Sequence, residues 1–264
     1  MKYIKLLSAL LFVFSFSSCT ITEKMILNEN GSGKFAYDID GSKMMSMMGS
    51  AFKGDSNDAK KEKKGKVIDS TFTFKELLAS KKDSIAKLSP EEQEKIKKME
   101  KFSMHMHMDE EKGIMNYSMF TDFNSISELQ DVMSPLQSMK SLTPGGSSKM
   151  MGANAGLPEE NSSTKFFYDG KSFKKSVAKI EKKKEEEKIE SDSEEDLGGK
   201  MKESMEMIYG QSSFKVVYQF PKAVKKISMP NALYSDDRKT ITIEYPLKEY
   251  MENPDKLNFE VEFQ

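Results

Sequence analysis

The sequence predicts an α+β fold in which antiparallel β-hairpins and sheet pack with amphipathic Met-rich helices. Polar and apolar residues alternate in several runs, among them residues 214–220 and 257–263. This period of two is typical of strands with one buried face. Methionines at helical spacing, and capping boxes such as Ser89-Pro90-Glu91-Glu92, predict helices between the strands. We therefore expect an antiparallel sheet covered by helices on one side.

The N-terminus has the organisation of a secretory signal peptide. Lys2 and Lys5 give a positive start, residues 6–16 are apolar, and Ser17-Ser18 supplies small residues directly before Cys19. As a helix the apolar run would be about 16 Å long, roughly half the thickness of a hydrocarbon core. It is therefore too short for a stable membrane span.

The end of this segment resembles a bacterial lipobox. That resemblance implies removal of residues 1–18, attachment of diacylglycerol to Cys19, and acylation of the new amino terminus. Several buried acyl chains, at about 0.8 kcal/mol per methylene, give lasting attachment to a membrane. Cys19 is also the only cysteine, so no intramolecular disulfide can form. The membrane, bound through Cys19, is thus the first predicted partner.

Composition limits the other partners. The chain has 41 Lys and Arg against 42 Asp and Glu, a net charge of −1. This near balance provides no basic field, and we expect no nucleic-acid partner. Hydrophobic residues at 37% are fewer, and charged residues at 31% more numerous, than in an average globular protein, but the apolar residues are clustered, which predicts folded units joined by polar segments.

Residues 19–140 are predicted to form an N-terminal α+β region of two hairpin–helix units. The first hairpin turns at Asn30-Gly31 and is followed by a Met-rich helix within residues 42–52. The second hairpin turns at Gly113, and a capping box at Ser125 predicts the helix after it.

The remaining chain is predicted to hold a linker and a β-rich region. Residues 141–163 are rich in Gly and Ser and are the predicted linker; residues 164–264 form the C-terminal region, with a hairpin at Asp169-Gly170. Two charged inserts, 53–66 and 179–200, have no clear apolar period. Both a solvated helix and disorder fit the second insert.

The most distinctive chemical motif is Met104-His105-Met106-His107-Met108. On a strand, His105 and His107 project from one face and the thioethers from the other. Both ligand types suit Cu(I), so a metal site at His105 and His107 is one hypothesis. However, one ion cannot easily use ligands on opposite faces. Core methionines with outward histidines are the preferred interpretation.

The residue inventory argues against catalysis. His105 and His107 are the only histidines, and Cys19 is assigned to lipid attachment. The chain has no Gly-x-Ser-x-Gly elbow, no His-Glu-x-x-His and no phosphate-binding glycine loop. We therefore expect no enzyme, no catalytic residues and no cofactor.

Two resemblances to known families can be named on these residues. The order from Cys19 through Asn30-Gly31-Ser32-Gly33 to Asp40-Gly41-Ser42-Lys43-Met44, and the block 67–133, resemble envelope lipoproteins of Bacteroidota, particularly flavobacteria. No activity is assigned to that group. The segment Tyr218-Gln219-Phe220-Pro221, with Val224 and the strand at 240–245, is similar to LppM-type envelope lipoproteins. This second resemblance implies a module that binds lipid or a hydrophobic ligand.

The residues after Cys19 bear on orientation. Lipoproteins sent to the surface in this phylum resemble one another in an acidic cluster after the cysteine, whereas residues 20–24 contain only Glu23 as an acid. We expect a lipid-anchored, non-catalytic protein in the cell envelope, at the outer membrane and facing the periplasm. It would act as a binding or scaffolding module for an envelope protein or lipid. LppM-like binding of a hydrophobic ligand and Cu(I) binding are the alternatives.

Overall fold

A computed structural model describes residues 20–43, 45, 67–130, 162–179, 206–207 and 210–264. These residues contain twelve strands: β1 (Thr20–Leu27), β2 (Gly33–Asp40), β3 (Val67–Thr73), β4 (Ser103–Asp109), β5 (Ile114–Phe123), β6 (Ser162–Tyr168), β7 (Ser172–Lys179), β8 (Ser213–Gln219), β9 (Val224–Ile227), β10 (Leu233–Tyr234), β11 (Thr240–Pro246) and β12 (Phe259–Phe263).

The strands form two sheets that pack face to face. The large sheet has the order β10-β11-β8-β1-β2-β5-β4-β3, and the small sheet has the order β6-β7-β12-β9. Aromatic side chains join them, with Phe173 of β7 against Tyr218 of β8 at 5.6 Å and Phe166 of β6 against Phe35 of β2 at 6.2 Å between ring centroids. The core therefore lies between the sheets.

The predicted fold class is wrong in two respects. The protein is mostly β, and the large sheet is mixed, because β1 pairs parallel to β8 with Thr20 opposite Ser213. The described helices are short: α1 (Phe74–Ala79), α2 (Lys82–Ile85), α3 (Pro90–Met99), α4 (Leu247–Glu252) and two 3-10 turns, Ile126–Leu129 and Pro254–Leu257. A capping box indicates where a helix begins, but it does not indicate how long the helix is or how large a part of the hydrophobic core its side chains form.

Two local helix predictions have different outcomes. The capping box at Ser89 is confirmed, because its side chain accepts from Glu92 N and the Glu92 carboxylate accepts from Ser89 N. The one at Ser125 does not form as predicted. There the hydroxyl accepts from Ser127 N, the Glu128 carboxylate accepts from Asn124 N, and the described residues 126–129 form a 3-10 turn; the rest of that predicted helix lies outside the described residues.

The three predicted hairpin turns are confirmed. β1 and β2, β4 and β5, and β6 and β7 each pair antiparallel. Their turn glycines, Gly31, Gly113 and Gly170, have φ values of 80°, 64° and 83°. Only glycine adopts this left-handed backbone at little cost, which explains why the turn chemistry locates the hairpins.

Alternation also predicts the buried faces correctly. Ile21, Met25 and Leu27 of β1 are buried, whereas Lys24 and Ile26 between them are exposed. The inner face of the large sheet packs on the small sheet over β1, β2, β8 and β11. Over β3–β5 it packs partly on α1 and α3, through Phe74, Leu78, Ile96 and Met99.

The predicted division at residues 140 and 164 stays a prediction. Strands from both sides of it, β1–β5 and β8, β10 and β11, belong to the large sheet. Nearly all of the predicted linker, most of the two charged inserts and most of the Met-rich helix predicted within residues 42–52 lie outside the described residues.

Candidate functional site

A shallow cleft of about 430 Å³ lies on the outer face of the large sheet, near the end where β1 begins. Side chains of four adjacent strands line it, including Thr22, Asp38, Asp40, His105, His107 and Ser118. We call it the outer-face cleft.

Strand register brings these side chains together. Thr22 lies opposite Asp38, Asp38 opposite Ser118, and Ser118 opposite His105. These residues therefore form one row across β1, β2, β5 and β4. Since side chains alternate along each strand, Asp40 and His107 belong to the next row on the same face.

The two histidines share one carboxylate from the edge strand β3. His105 Nε2 lies 2.8 Å from Asp69 Oδ1, and His107 Nδ1 lies 3.2 Å from Asp69 Oδ2. The hydrogen bond from His105 is the main cause that lowers the pKa of Asp69. Asp69 is thus an ionised acceptor for both imidazoles at neutral pH.

The aspartates of the cleft are also engaged. Asp38 accepts a hydrogen bond from Ser118 Oγ at 2.5 Å and forms an ion pair with Lys24 at 2.5 Å. Asp40 accepts from the backbone N–H of Ser42 at 3.0 Å. Because Ser118 donates to Asp38, its hydroxyl is not directed at His105, and the two do not form a nucleophile–base pair.

The methionines of the Met-His motif lie on the opposite face from the cleft. Met104, Met106 and Met108 are half-buried on the inner face, and Met104 packs against the core. A single ion therefore cannot reach these thioethers together with His105 and His107. In the part of the chain that the structure describes, no three or more His, Cys, Asp or Glu residues are placed to hold a metal ion.

A second polar cluster is buried between the sheets. Glu23 of β1 and Lys175 of β7 are each 1% exposed and form an ion pair of 2.6 Å. Glu23 also accepts hydrogen bonds from the hydroxyls of Tyr37, at 2.6 Å, and Tyr218. We call these four residues the buried cluster.

Aromatic rings surround the ammonium group of this cluster. Lys175 Nζ lies 5.8 to 5.9 Å from the ring centroids of Phe166, Phe214 and Tyr218, within the range of cation–π attraction. Burial lowers the pKa of Lys175, and Glu23 opposes that effect. Burial, reinforced by the negative charge of Glu23, raises the pKa of both Tyr37 and Tyr218. The tyrosines are therefore neutral donors.

Sequence reasoning missed the buried cluster, although the signal is present. Glu23 occupies the same alternation phase as Ile21 and Met25, and Lys175 the same phase as Phe173 and Val177. A charged residue on the apolar phase of a strand indicates a buried charge, which requires a partner. Sequence alone did not show that these two residues are each other's partner.

The predicted lipid-attachment residue, Cys19, lies outside the described residues. The chain that follows it enters β1 at Thr20. Within the described residues no helix is both long and apolar enough to cross a membrane.

Comparisons with known proteins add little. No protein-family model matches this chain, and no curated protein matches it in sequence. Among solved structures, it is similar to the folded domain of LppM from Mycobacterium tuberculosis, determined by NMR. That match has 7% identity and a TM-score of 0.35, and covers 93% of this chain and 89% of the other. A likeness at this TM-score carries no argument about fold or function.

Proposed function

We propose that this chain is a lipid-anchored protein of the cell envelope, attached through Cys19. The observation that carries the proposal is the position of β1. Its first residue, Thr20, directly follows the cysteine of the lipobox-like segment, and Ile21 is already fully buried. Because Thr20 is already paired with Ser213, the folded unit reaches to within one residue of Cys19, which fits removal of residues 1–18.

We further propose that the protein faces the periplasm from the outer membrane. The predicted orientation depends on the absence of an exposed acidic cluster after Cys19. Glu23, the only acid in residues 20–24, is in the buried cluster and is bonded to Lys175. Its charge is therefore not presented to a receptor at the protein surface.

We propose that the anchored unit acts by binding or scaffolding and not by catalysis. The hydrogen bonds of the outer-face cleft support this, because Ser118 donates to Asp38 and both imidazoles are held by Asp69. The cleft is an open sheet surface whose aspartates and imidazoles already have hydrogen-bond partners within the protein, which suits contact with a partner surface more than chemistry on a bound substrate. Binding of a hydrophobic ligand, which the LppM-type resemblance implies, stays an alternative prediction.

Metabolic labelling with an alkyne fatty acid tests the anchor. The wild-type protein should carry the label and fractionate with membranes, and Cys19→Ala should lose both properties. Ser17→Ala is the matched control, because it keeps a small residue before the cysteine and should still be labelled. A labelled Cys19→Ala protein would contradict the proposal.

A further inference from the structure

Lipid attachment at Cys19 would fix which surface of this protein meets the membrane. Two opposite ends of the sheets can be defined. The anchor end consists of Thr20, residues 40–43, the turn 110–113 and residues 210–213. The turn end consists of the tight turns 28–32, 169–172 and 235–239.

Strand pairing places the anchor end at one level of the large sheet. Thr20 is opposite Ser213, Asp40 is opposite Asn116, and Asn116 is opposite His107. Lys43 Nζ donates to Gln211 Oε1 at 2.5 Å and joins the segments that follow β2 and precede β8. Leu247 N donates to Ser212 O, so α4 also begins at this level.

No flexible linker separates the attachment site at Cys19 from the folded strand β1. Thr20 is the residue after Cys19, it already pairs with Ser213, and the next residue, Ile21, is 0% exposed. Adjacent Cα atoms are 3.8 Å apart, so the acylated sulfur lies within about 7 Å of the Thr20 Cα. A bilayer that holds the acyl chains must therefore lie against the anchor end.

The turn end is distant from that bilayer. β1 has eight residues, a length of about 27 Å at the usual rise per residue. Lys222 Nζ donates to Gly170 O and joins two loops of the turn end. Ordered strands thus separate the two ends.

We propose that the anchor end is a membrane-contact surface whose partner is the headgroup layer of a lipid bilayer, with the turn end directed away from it. This inference depends on the proposed lipidation of Cys19. The described charged residues at this end include Asp40, Glu110 and Glu111 as well as Lys43 and Lys112. Because the charges are mixed, the contact depends on the covalent anchor and not on anionic lipid.

The absence of other cysteines makes the proposal testable with the full lipidated protein. Lys248→Cys places a single free thiol near the anchor end, where the side chain is 69% exposed. Lys171→Cys places one in an exposed turn of the turn end and is the matched control. Each is labelled with a fluorophore in phosphatidylcholine vesicles, with and without a lipid that carries a nitroxide on its headgroup.

We expect strong quenching of the label at position 248 and none at position 171. A long Gly/Ser insertion between Cys19 and Thr20 should abolish the quenching at 248. Equal quenching at both positions, or none at either, in protein whose lipidation is verified by mass spectrometry would overturn this inference alone. A mature protein without acyl chains would overturn both the proposed function and the inference.

Discussion

Glu23 and Lys175 show how a charged pair is accommodated in this core. Removing two charges from water is costly, and their attraction offsets the cost only when other hydrogen bonds satisfy the remaining lone pairs. Here the hydroxyls of Tyr37 and Tyr218 donate hydrogen bonds to the Glu23 carboxylate, and aromatic rings surround the Lys175 ammonium group. The pair also joins β1 to β7, so it favours one alignment of the two sheets over others.

Removing one partner of the pair should be strongly destabilising. Lys175→Met should lower the free energy of unfolding by about 3–5 kcal/mol, because the Glu23 carboxyl group is left buried without its counter-charge. Its neighbour Lys174, which pairs with Glu260 at the surface, is the matched control, and Lys174→Met should cost at most about 1 kcal/mol. Urea unfolding measures both.

A second variant distinguishes loss of charge compensation from loss of packing. Adding Glu23→Gln to Lys175→Met removes the uncompensated charge, while the amide oxygen still accepts from the tyrosines. The double variant should therefore be more stable than Lys175→Met alone. If Lys175→Met and Lys174→Met had equal effects, the role given to the buried pair would be wrong.

Alkaline pH should unfold the protein cooperatively. The pKa values of Tyr37, Tyr218 and Tyr250 are raised well above their ordinary value, first by burial and then by the charge of Glu23. A raised pKa contributes stability below the unfolded value of about 10, and that contribution is lost as the pH rises above it. The lowered pKa of Lys175 acts in the opposite sense, but three tyrosines oppose one lysine.

Two measurements taken together check this expectation. Tyrosinate absorbance and far-ultraviolet circular dichroism should change in a single transition above the ordinary tyrosine pKa. Gradual ionisation of all tyrosines with an unchanged dichroism spectrum would contradict it.

At the scale of elements, local signals located the hairpins but not the sheet. A left-handed glycine in a tight turn specifies which two strands meet, so the hairpins at Gly31, Gly113 and Gly170 could be predicted. Nothing in the sequence near Thr20 indicates that β1 pairs with Ser213 and the rest of β8. Parallel pairing joins segments distant in sequence, and no turn encodes it.

The same limit applies to the outer-face cleft. His105 and His107 could be assigned to one face of a strand from their spacing alone. Their contacts with Asp69 depend on the pairing of β3 with β4, where Asp69 lies opposite His107. The chain between β3 and β4 forms α1, α2 and α3 and must fold back before the two strands can pair, and the spacing of the histidines does not encode that return.

A fragment of residues 20–140 should not fold by itself. It retains β1–β5 but lacks β8, so the backbone groups on one edge of β1 lose their partners. It also lacks Lys175, which leaves Glu23 without its counter-charge. Circular dichroism and urea titration of the fragment should show no cooperative transition, whereas co-expression with residues 162–264 should recover folded protein. Cooperative unfolding of the isolated fragment would contradict this prediction.

At the scale of the whole molecule, one core serves both halves of the chain. Ile21, Phe35 and Phe74 from the first half belong to the same hydrophobic core as Phe173, Tyr218 and Phe259 from the second. The clean alternation in both halves predicted that each buries one face. It could not show that the two faces are buried against each other, because that depends on how the sheets pack.

The position of β8 beside β1 has a consequence for the newly made chain. About 190 residues separate Thr20 from Ser213, so at about 5–20 residues per second β8 is synthesised about 10–40 s after β1. During that interval β1 keeps an open edge, the kind of edge that recruits strands from other molecules. Until the last quarter of the chain is made, the nascent protein therefore needs either chaperones that cover this edge or a low local concentration of other copies of the same chain.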